Sequence, residues 1–185
     1  ASIDLSGAEL EVADMENRNV LLKTAVDEFL ETSEEHYDYV IIDCPPSLGL
    51  LVINAMCAVH EMLIPIQAEY YALEGLGQLI NTIGLVQEHF NPSLLVSTML
   101  ITMFDKRTLL SREVHDEVKN HYPTIVLNTT IPRTVKISEA PSFNQSVIAY
   151  DPKGMGAIAY CEAALEIARR SQTVLKAIDA RRNEN

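Results

Sequence analysis

The sequence predicts an α/β fold in which a mostly parallel sheet is flanked by helices. Short apolar runs at residues 40–42, 62–66 and 94–102 have the length and composition of buried strands. Between them, apolar residues recur at helical spacing, as Leu76 and Ile80 do. Strands that alternate with helices form βαβ units, and such units build parallel sheets.

The first predicted strand, residues 40–42, ends at Asp43, and Pro45 and Pro46 follow at once. Proline lacks the amide that a sheet ladder needs, so the strand is expected to end there. Asp43 is then displayed at the carboxyl edge of a parallel strand, where open α/β sheets bind ligands. P-loop nucleotide enzymes hold Mg²⁺ with a carboxylate in that position, although an aspartate there can also simply begin a turn.

The remaining elements are predicted in order along the chain. They are a helix in residues 14–30, a helix capped by Ser47, a strand over 62–66 ended by Pro65, a helix ended by Asn91 and Pro92, a central strand over 94–102, a helix from Leu110 to Tyr122, short strand candidates at 124–127 and 146–150, and a long closing helix over 155–178.

Length and composition indicate a globular protein. We expect the 185 residues to form one domain, 1–185, with a polar tail over 171–185. The net charge of −12 argues against attraction of DNA or anionic lipid to the whole surface, but it allows a local basic patch. The longest nearly apolar run, residues 48–59, is too short to span a bilayer.

The cysteines indicate a reduced setting. Cys44, Cys57 and Cys161 are widely separated, and no pair has C-x-x-C spacing. The sequence therefore suggests neither a zinc site nor a disulfide framework, and a cytoplasmic location fits best.

Four longer sequence motifs support the same interpretation. DCPPSLG, EYYALEG, TMFDKRT and IPRTVKISEAPS occur in one order. Together they resemble the ParA/Soj family of chromosome- and plasmid-partitioning ATPases, a deviant Walker branch of the P-loop proteins that includes MinD. The resemblance runs from about Ser2 to about Arg170. No glycine begins a G-x-x-x-x-G-K-[ST] word, so the chain resembles the carboxy-terminal portion of such a protein, without the amino-terminal P-loop strand.

The resemblance implies ATP and Mg²⁺ as cofactors. Asp43 is identified as the Walker B residue that binds Mg²⁺ through water, and Pro45 belongs to the loop that senses the γ-phosphate. Met103 and Asp105 are expected near the adenine, and Pro132 is expected to stack on the base. An alternative stays open for Asp105, which can instead cap the following helix.

The resemblance also implies partners. Arg133 and Lys136 are the candidate contacts to nonspecific DNA, with Arg107 a weaker third, although they can also be ordinary solvated cations. A homodimer, a ParB-type partner protein and a cytoplasmic, nucleoid-associated location follow from the same resemblance, with no membrane association. Arg169 and Arg170 begin a basic tail, for which a surface role is favoured.

Alternative functions stay open. A partitioning ATPase is the first hypothesis, with the expectation that these residues alone do not hydrolyse ATP, since no P-loop amides or lysine stabilise the transition state. Whether the chain is an enzyme by itself is therefore left open. The second hypothesis is a noncatalytic, P-loop-less module that binds DNA or a ParB-type partner. The third is a MinD-like positioning ATPase, which the weak apolar face of the carboxyl tail disfavours.

Overall fold

The computed structural model describes residues 7, 9 and 11–183, with side chains as far as residue 171. The elements, in chain order, are α1 (Leu21–Thr32), α2 (Leu50–Ala58), β1 (Glu61–Gln67), α3 (Ala72–His89), β2 (Leu95–Thr102), α4 (Leu109–His121), α5 (Val135–Glu139), a 3-10 helix (Ala140–Phe143), α6 (Val147–Tyr150) and α7 (Met155–Asn183).

The chain divides into two compact units. The first comprises Ala1–Met62 and Gly77–Leu95, and the second comprises Leu63–Leu76 and Val96–Asn185. The expectation of a single domain over residues 1–185 stays a prediction.

Among the described residues the sheet is parallel and consists of two strands, β1 and β2. On one side β2 pairs with β1, and on the other an isolated parallel bridge joins Met99 to Val126. Residues 98–101 of β2 are buried, because both of its edges are paired and side chains cover both faces. The α/β fold with helices flanking a parallel sheet is therefore confirmed.

The predicted strand at residues 40–42 is wrong for the structure described here. The segment has no strand or helix, and Ile41 is 89% exposed. Strand geometry persists only where a neighbouring strand satisfies the backbone amides and carbonyls. Neither β1 nor β2 pairs with this segment, so its apolar composition alone does not make it a strand.

Four shorter predictions also need correction. Ser47 does not cap α2, whose N-cap is Gly49 without a side-chain hydrogen bond, and residues 124–127 form only the isolated bridge at Val126 rather than a strand. Residues 146–150 form helix α6 rather than a strand, because the Ser146 hydroxyl caps the turn by accepting a hydrogen bond from the Ala149 amide. Pro65 does not end β1, which continues to Gln67. Proline is tolerated there because β1 pairs only with β2 among the described residues, so one of its edges needs no amide donor.

The core of the second unit lies between the sheet and α7. Leu100, Leu127 and Ile131 pack against Ala159 and Ala163, all of them buried. Alanine side chains on the inner face of α7 let the helix approach the strand backbone closely. The predicted closing helix is thus confirmed, and it reaches Asn183.

In the first unit a buried asparagine joins α1 to α2. Asn54 is 5% exposed. Its side chain donates to the carbonyls of Arg18 and Leu50 and accepts from the Leu22 amide at 3.2 Å. Asn54 therefore satisfies an amide of the first turn of α1, a helix whose N-cap residue, Val20, has no side-chain hydrogen bond.

Candidate functional site

The candidate site of the second unit is built at the carboxyl edge of the sheet. Directly after β2, Met103 adopts a left-handed backbone conformation with φ of 51°. The chain then pairs with a second segment: the Phe104 amide donates to the Ile131 carbonyl at 3.0 Å, and the Arg133 amide donates to the Phe104 carbonyl at 3.1 Å. The sequence-predicted residues Met103, Asp105 and Pro132 are thereby brought to one edge, the usual ligand edge of such sheets.

Asp105 and Arg107 form a bidentate ion pair at this edge. The guanidinium donates to the two carboxylate oxygens at 2.9 and 2.7 Å, and the Arg107 amide donates to Oδ1 at 3.0 Å. Hydrogen bonds from Arg107, assisted by the charge of Arg133, lower the pKa of Asp105 to about 2. The N-cap of α4 is Thr108, which accepts from the Ser111 amide, so the helix-capping alternative for Asp105 does not describe this structure.

The other candidate cations also contact carboxylates. Arg133 lies 3.4 Å from Oε1 of Glu69, which follows β1 at the same edge. Lys136 lies on α5, with its ammonium 3.0 Å from Oε2 of Glu139 and 5.3 Å from the centre of the Tyr150 ring. The carboxylate of Glu139 raises the pKa of Lys136, so this side chain is a cation at any physiological pH.

Asp43 and Pro45 lie in the first unit, in the exposed segment that precedes α2. A divalent magnesium site needs several oxygen ligands, and the structure places no group of three candidate metal ligands together among the residues it describes. Asp43 can supply one carboxylate, the kind of oxygen ligand that Mg²⁺ takes from proteins. The roles assigned to Asp43 and Pro45 stay predictions.

The comparisons with known proteins agree with the family resemblance of the sequence motifs. The sequence model of the AAA domain family matches residues 1–96. The chain is 51% identical, over 91% of its length, to the sporulation initiation inhibitor protein Soj of Bacillus subtilis. It is 45% identical, over 92% of its length, to the chromosome partitioning protein ParA of Myxococcus xanthus. The chain belongs to the ParA/Soj family. It spans 65% of that Soj protein and 59% of that ParA protein.

A solved structure has the same fold. The cobyrinic acid a,c-diamide synthase of Mycobacterium smegmatis, crystallised with ADP and magnesium, superposes with a TM-score of 0.74 at 38% identity. The match covers 93% of this chain and 61% of that one. ADP and magnesium are thus bound by a protein with the fold of this ParA/Soj chain.

Sequence reasoning missed Glu69 and Glu166. Glu69 belongs to the EYYALEG word, but its contact with Arg133 joins residues 64 positions apart. Glu166 accepts hydrogen bonds from the Asn128 and Thr129 amides and pairs with Arg170 at 2.7 Å. Arg170 also donates to the carbonyls of residues 124–126, and so is not part of a free basic tail. The only available signal was the position of Glu69 directly after a predicted strand.

Length and apolar content decide whether a helix can span a membrane, and both are properties of each helix by itself. None of the described helices within residues 11–183 is both long enough and apolar enough to cross a bilayer.

Proposed function

We propose that this chain is part of a chromosome- or plasmid-partitioning ATPase of the ParA/Soj type. In that function an ATP-bound dimer with Mg²⁺ binds nonspecific DNA and a ParB-type partner protein in the cytoplasm, at the nucleoid. The observation that carries the proposal is the agreement of the sequence words with relatives named as partitioning proteins, at 51% and 45% identity over more than nine-tenths of the chain.

The geometry of the second unit supports a nucleotide-base pocket at the carboxyl edge of the sheet. Met103, Asp105 and Pro132 meet there through the Phe104 pairing. Pro132 is partly exposed, and its apolar ring can pack against the face of a purine. The carboxylate of Asp105 can accept a hydrogen bond from an amino group such as that of adenine, in competition with Arg107.

The proposed DNA binding depends on Arg133 and Lys136, with Arg107 as a weaker contact. All are exposed side chains of the second unit. Accessible cations bind phosphate without regard to sequence, and each contact adds affinity that falls with salt. In a chain of net charge −12 such binding has to be local, and dimerisation would strengthen it by doubling the patch.

The test is fluorescence anisotropy of a labelled random-sequence duplex, titrated with the purified chain at several salt concentrations. Arg133→Ala and Lys136→Ala should each weaken binding and flatten the plot of log K against log salt by about 0.9 per lost phosphate contact. Lys23→Ala is the matched control, because Lys23 is an exposed lysine paired with Asp27 at 2.7 Å on α1. Equal losses in all variants would contradict the assignment of the patch.

We propose further that these residues alone do not hydrolyse ATP. The sequence contains no G-x-x-x-x-G-K-[ST] word, and that loop and its lysine supply most of the charge stabilisation in P-loop enzymes. Phosphate release by the purified chain, with ATP and Mg²⁺, should equal that of an Asp43→Asn variant. Mg²⁺-dependent turnover that this substitution abolishes would overturn the proposal.

A noncatalytic module that binds DNA or a ParB-type partner is the second candidate function. Contacts of Arg133 and Lys136 with DNA phosphates would not need ATP hydrolysis, because an exposed cation binds phosphate by charge alone. The two candidates differ in one measurement: a partitioning ATPase binds DNA more tightly with ATP, whereas the noncatalytic module binds equally with and without nucleotide.

A further inference from the structure

Each cation of the candidate DNA patch is held by a carboxylate of the same unit. Arg107 pairs with Asp105 at 2.7 Å, Arg133 with Glu69 at 3.4 Å, and Lys136 with Glu139 at 3.0 Å. The cations and carboxylates match one to one, so these side chains together carry no net charge. A DNA phosphate would therefore approach cations that already form ion pairs with carboxylates.

The backbones that carry these cations are fixed by hydrogen bonds. The Arg133 amide donates to the Phe104 carbonyl. Helix α5, which carries Lys136, is capped by Thr134, whose hydroxyl accepts from the Ile137 amide at 3.3 Å. Gly156 of α7 lies so close that a Cβ there would be 2.8 Å from Ile137. Only the side chains are then free to exchange one acceptor for another.

The carboxylates are held as well. Glu139 accepts a second hydrogen bond from the Tyr150 hydroxyl at 3.3 Å. Glu69 lies in a turn directly after β1, where its amide donates to the Gln67 carbonyl at 2.8 Å and its carbonyl accepts from Ala72. The carboxylate of Glu139 is thus held by Tyr150 as well as by Lys136, whereas Glu69 is fixed through its backbone and reaches Arg133 with its side chain.

We propose that Glu69 and Glu139 are autoinhibitory contacts that restrain DNA binding by Arg133 and Lys136. A phosphate must displace each carboxylate before it gains the full charge of the cation, and it then faces that carboxylate as a like charge. The inference rests on the proposed DNA-binding function and adds its regulation. Any event that moves Glu69 or Glu139 away would raise DNA affinity without adding a new contact.

The test uses the full 185-residue chain and the same labelled duplex. Glu69→Gln and Glu139→Gln keep the size of each side chain and remove its charge. Because exposed ion pairs are weak, each should strengthen DNA binding by about two- to fivefold. The released cation should also steepen the plot of log K against log salt by up to about 0.9. Asp27→Asn, which removes the carboxylate of the Lys23 pair on α1, changes net charge equally and should do neither.

A double-mutant cycle separates release of a cation from a general change in charge. In an Arg133→Ala background, Glu69→Gln should no longer strengthen binding, because no cation remains to be released. Likewise, Glu139→Gln should have no effect in a Lys136→Ala background. If the gain persists in either background, or if Asp27→Asn gives the same gain, the autoinhibitory role is wrong. Urea denaturation of each variant checks that the fold is kept.

The outcomes also distinguish the inference from the proposed function. If Arg133→Ala and Lys136→Ala weaken binding but the glutamine variants do not strengthen it, only the autoinhibition is overturned. If the wild-type chain and the glutamine variants all fail to bind the duplex even at low salt, the DNA-binding patch fails, and the autoinhibition fails with it.

Discussion

At the scale of single residues, charge pairing dominates the candidate site. Asp105 accepts hydrogen bonds from two guanidinium nitrogens and from the amide of Arg107, and the charge of Arg133 also favours its ionised form. Glu166 is a second paired carboxylate, and its side chain is 18% exposed. The donors around each carboxyl lower its pKa, so each should leave a signature in the pH dependence of stability or in its mutational cost.

Asp105→Asn should remove a pH-dependent part of the stability. The pKa of Asp105 is lowered to about 2, so the carboxylate stabilises the fold above its unfolded pKa of about 4, and that contribution is lost as the pH falls through about 2. Urea denaturation should therefore show a constant difference between wild type and variant near neutral pH, which shrinks below about pH 4. A difference that does not change between neutral and acidic pH would contradict this.

Glu166→Ala should destabilise the second unit by about 1–3 kcal/mol, because the amides of Asn128 and Thr129 and the guanidinium of Arg170 all lose their acceptor. Burial opposes ionisation of Glu166, but these donors outweigh it and lower its pKa. The measurement is the free energy of unfolding in urea. Glu162→Ala is the control: this exposed residue lies one turn earlier on α7, and its replacement should cost less than about 0.5 kcal/mol.

At the scale of elements, buried polar side chains connect helices and strands in the first unit. Asn91 is 8% exposed and donates to the carbonyls of Met56 and Val59, at the carboxyl end of α2. The last carbonyls of a helix have no partner within the helix itself. The side chain of Asn91 therefore caps the carboxyl end of α2. It also ties the segment that follows α3 to this end of the helix.

Asn91→Ala should lower the free energy of unfolding by about 1–3 kcal/mol, because both carbonyls lose their donor in a buried place. Denaturation in urea, followed by circular dichroism, measures this loss. Asn81→Ala, at an exposed position on α3, should change stability by less than about 0.5 kcal/mol. Equal losses at the two positions would show that Asn91 does not act through these hydrogen bonds.

At the scale of the whole molecule, the main feature is apolar surface that none of the described elements covers. Tyr39 is 71% exposed, Val40 47% and Ile41 89%. Consecutive exposed apolar residues with unpaired backbone groups favour pairing with another chain. The isolated chain is therefore expected to self-associate through this segment.

Ile41→Asp should shift the purified chain toward the monomer, because a charge in an apolar segment opposes its burial against another chain. Size-exclusion chromatography with light scattering gives the molar mass. Leu85→Asp adds the same charge at a single exposed position on α3, 57% exposed, and should have a smaller effect. A wild-type chain that elutes as a monomer at all concentrations would contradict the prediction.

The sequence alone determined the class of the fold, the positions of β1, β2, α4 and α7, and the family. These features follow from local hydrophobic periodicity and from contiguous sequence motifs, and both can be read from the sequence without knowing any long-range contact. The IPRTVKISEAPS motif contains the short helix α5, which Thr134 caps and which the sequence did not predict.

Only the tertiary structure decided how the candidate site is held together. The contacts of Glu69 with Arg133 and of Glu166 with Asn128 span 64 and 38 residues, and no local pattern predicts such pairs. The segment at residues 40–42 is an example of a local pattern that the fold overrides. Its apolar composition is that of a buried strand, but Ile41 is exposed. A strand exists only when a partner satisfies its backbone, and that partner is a property of the fold rather than of the segment.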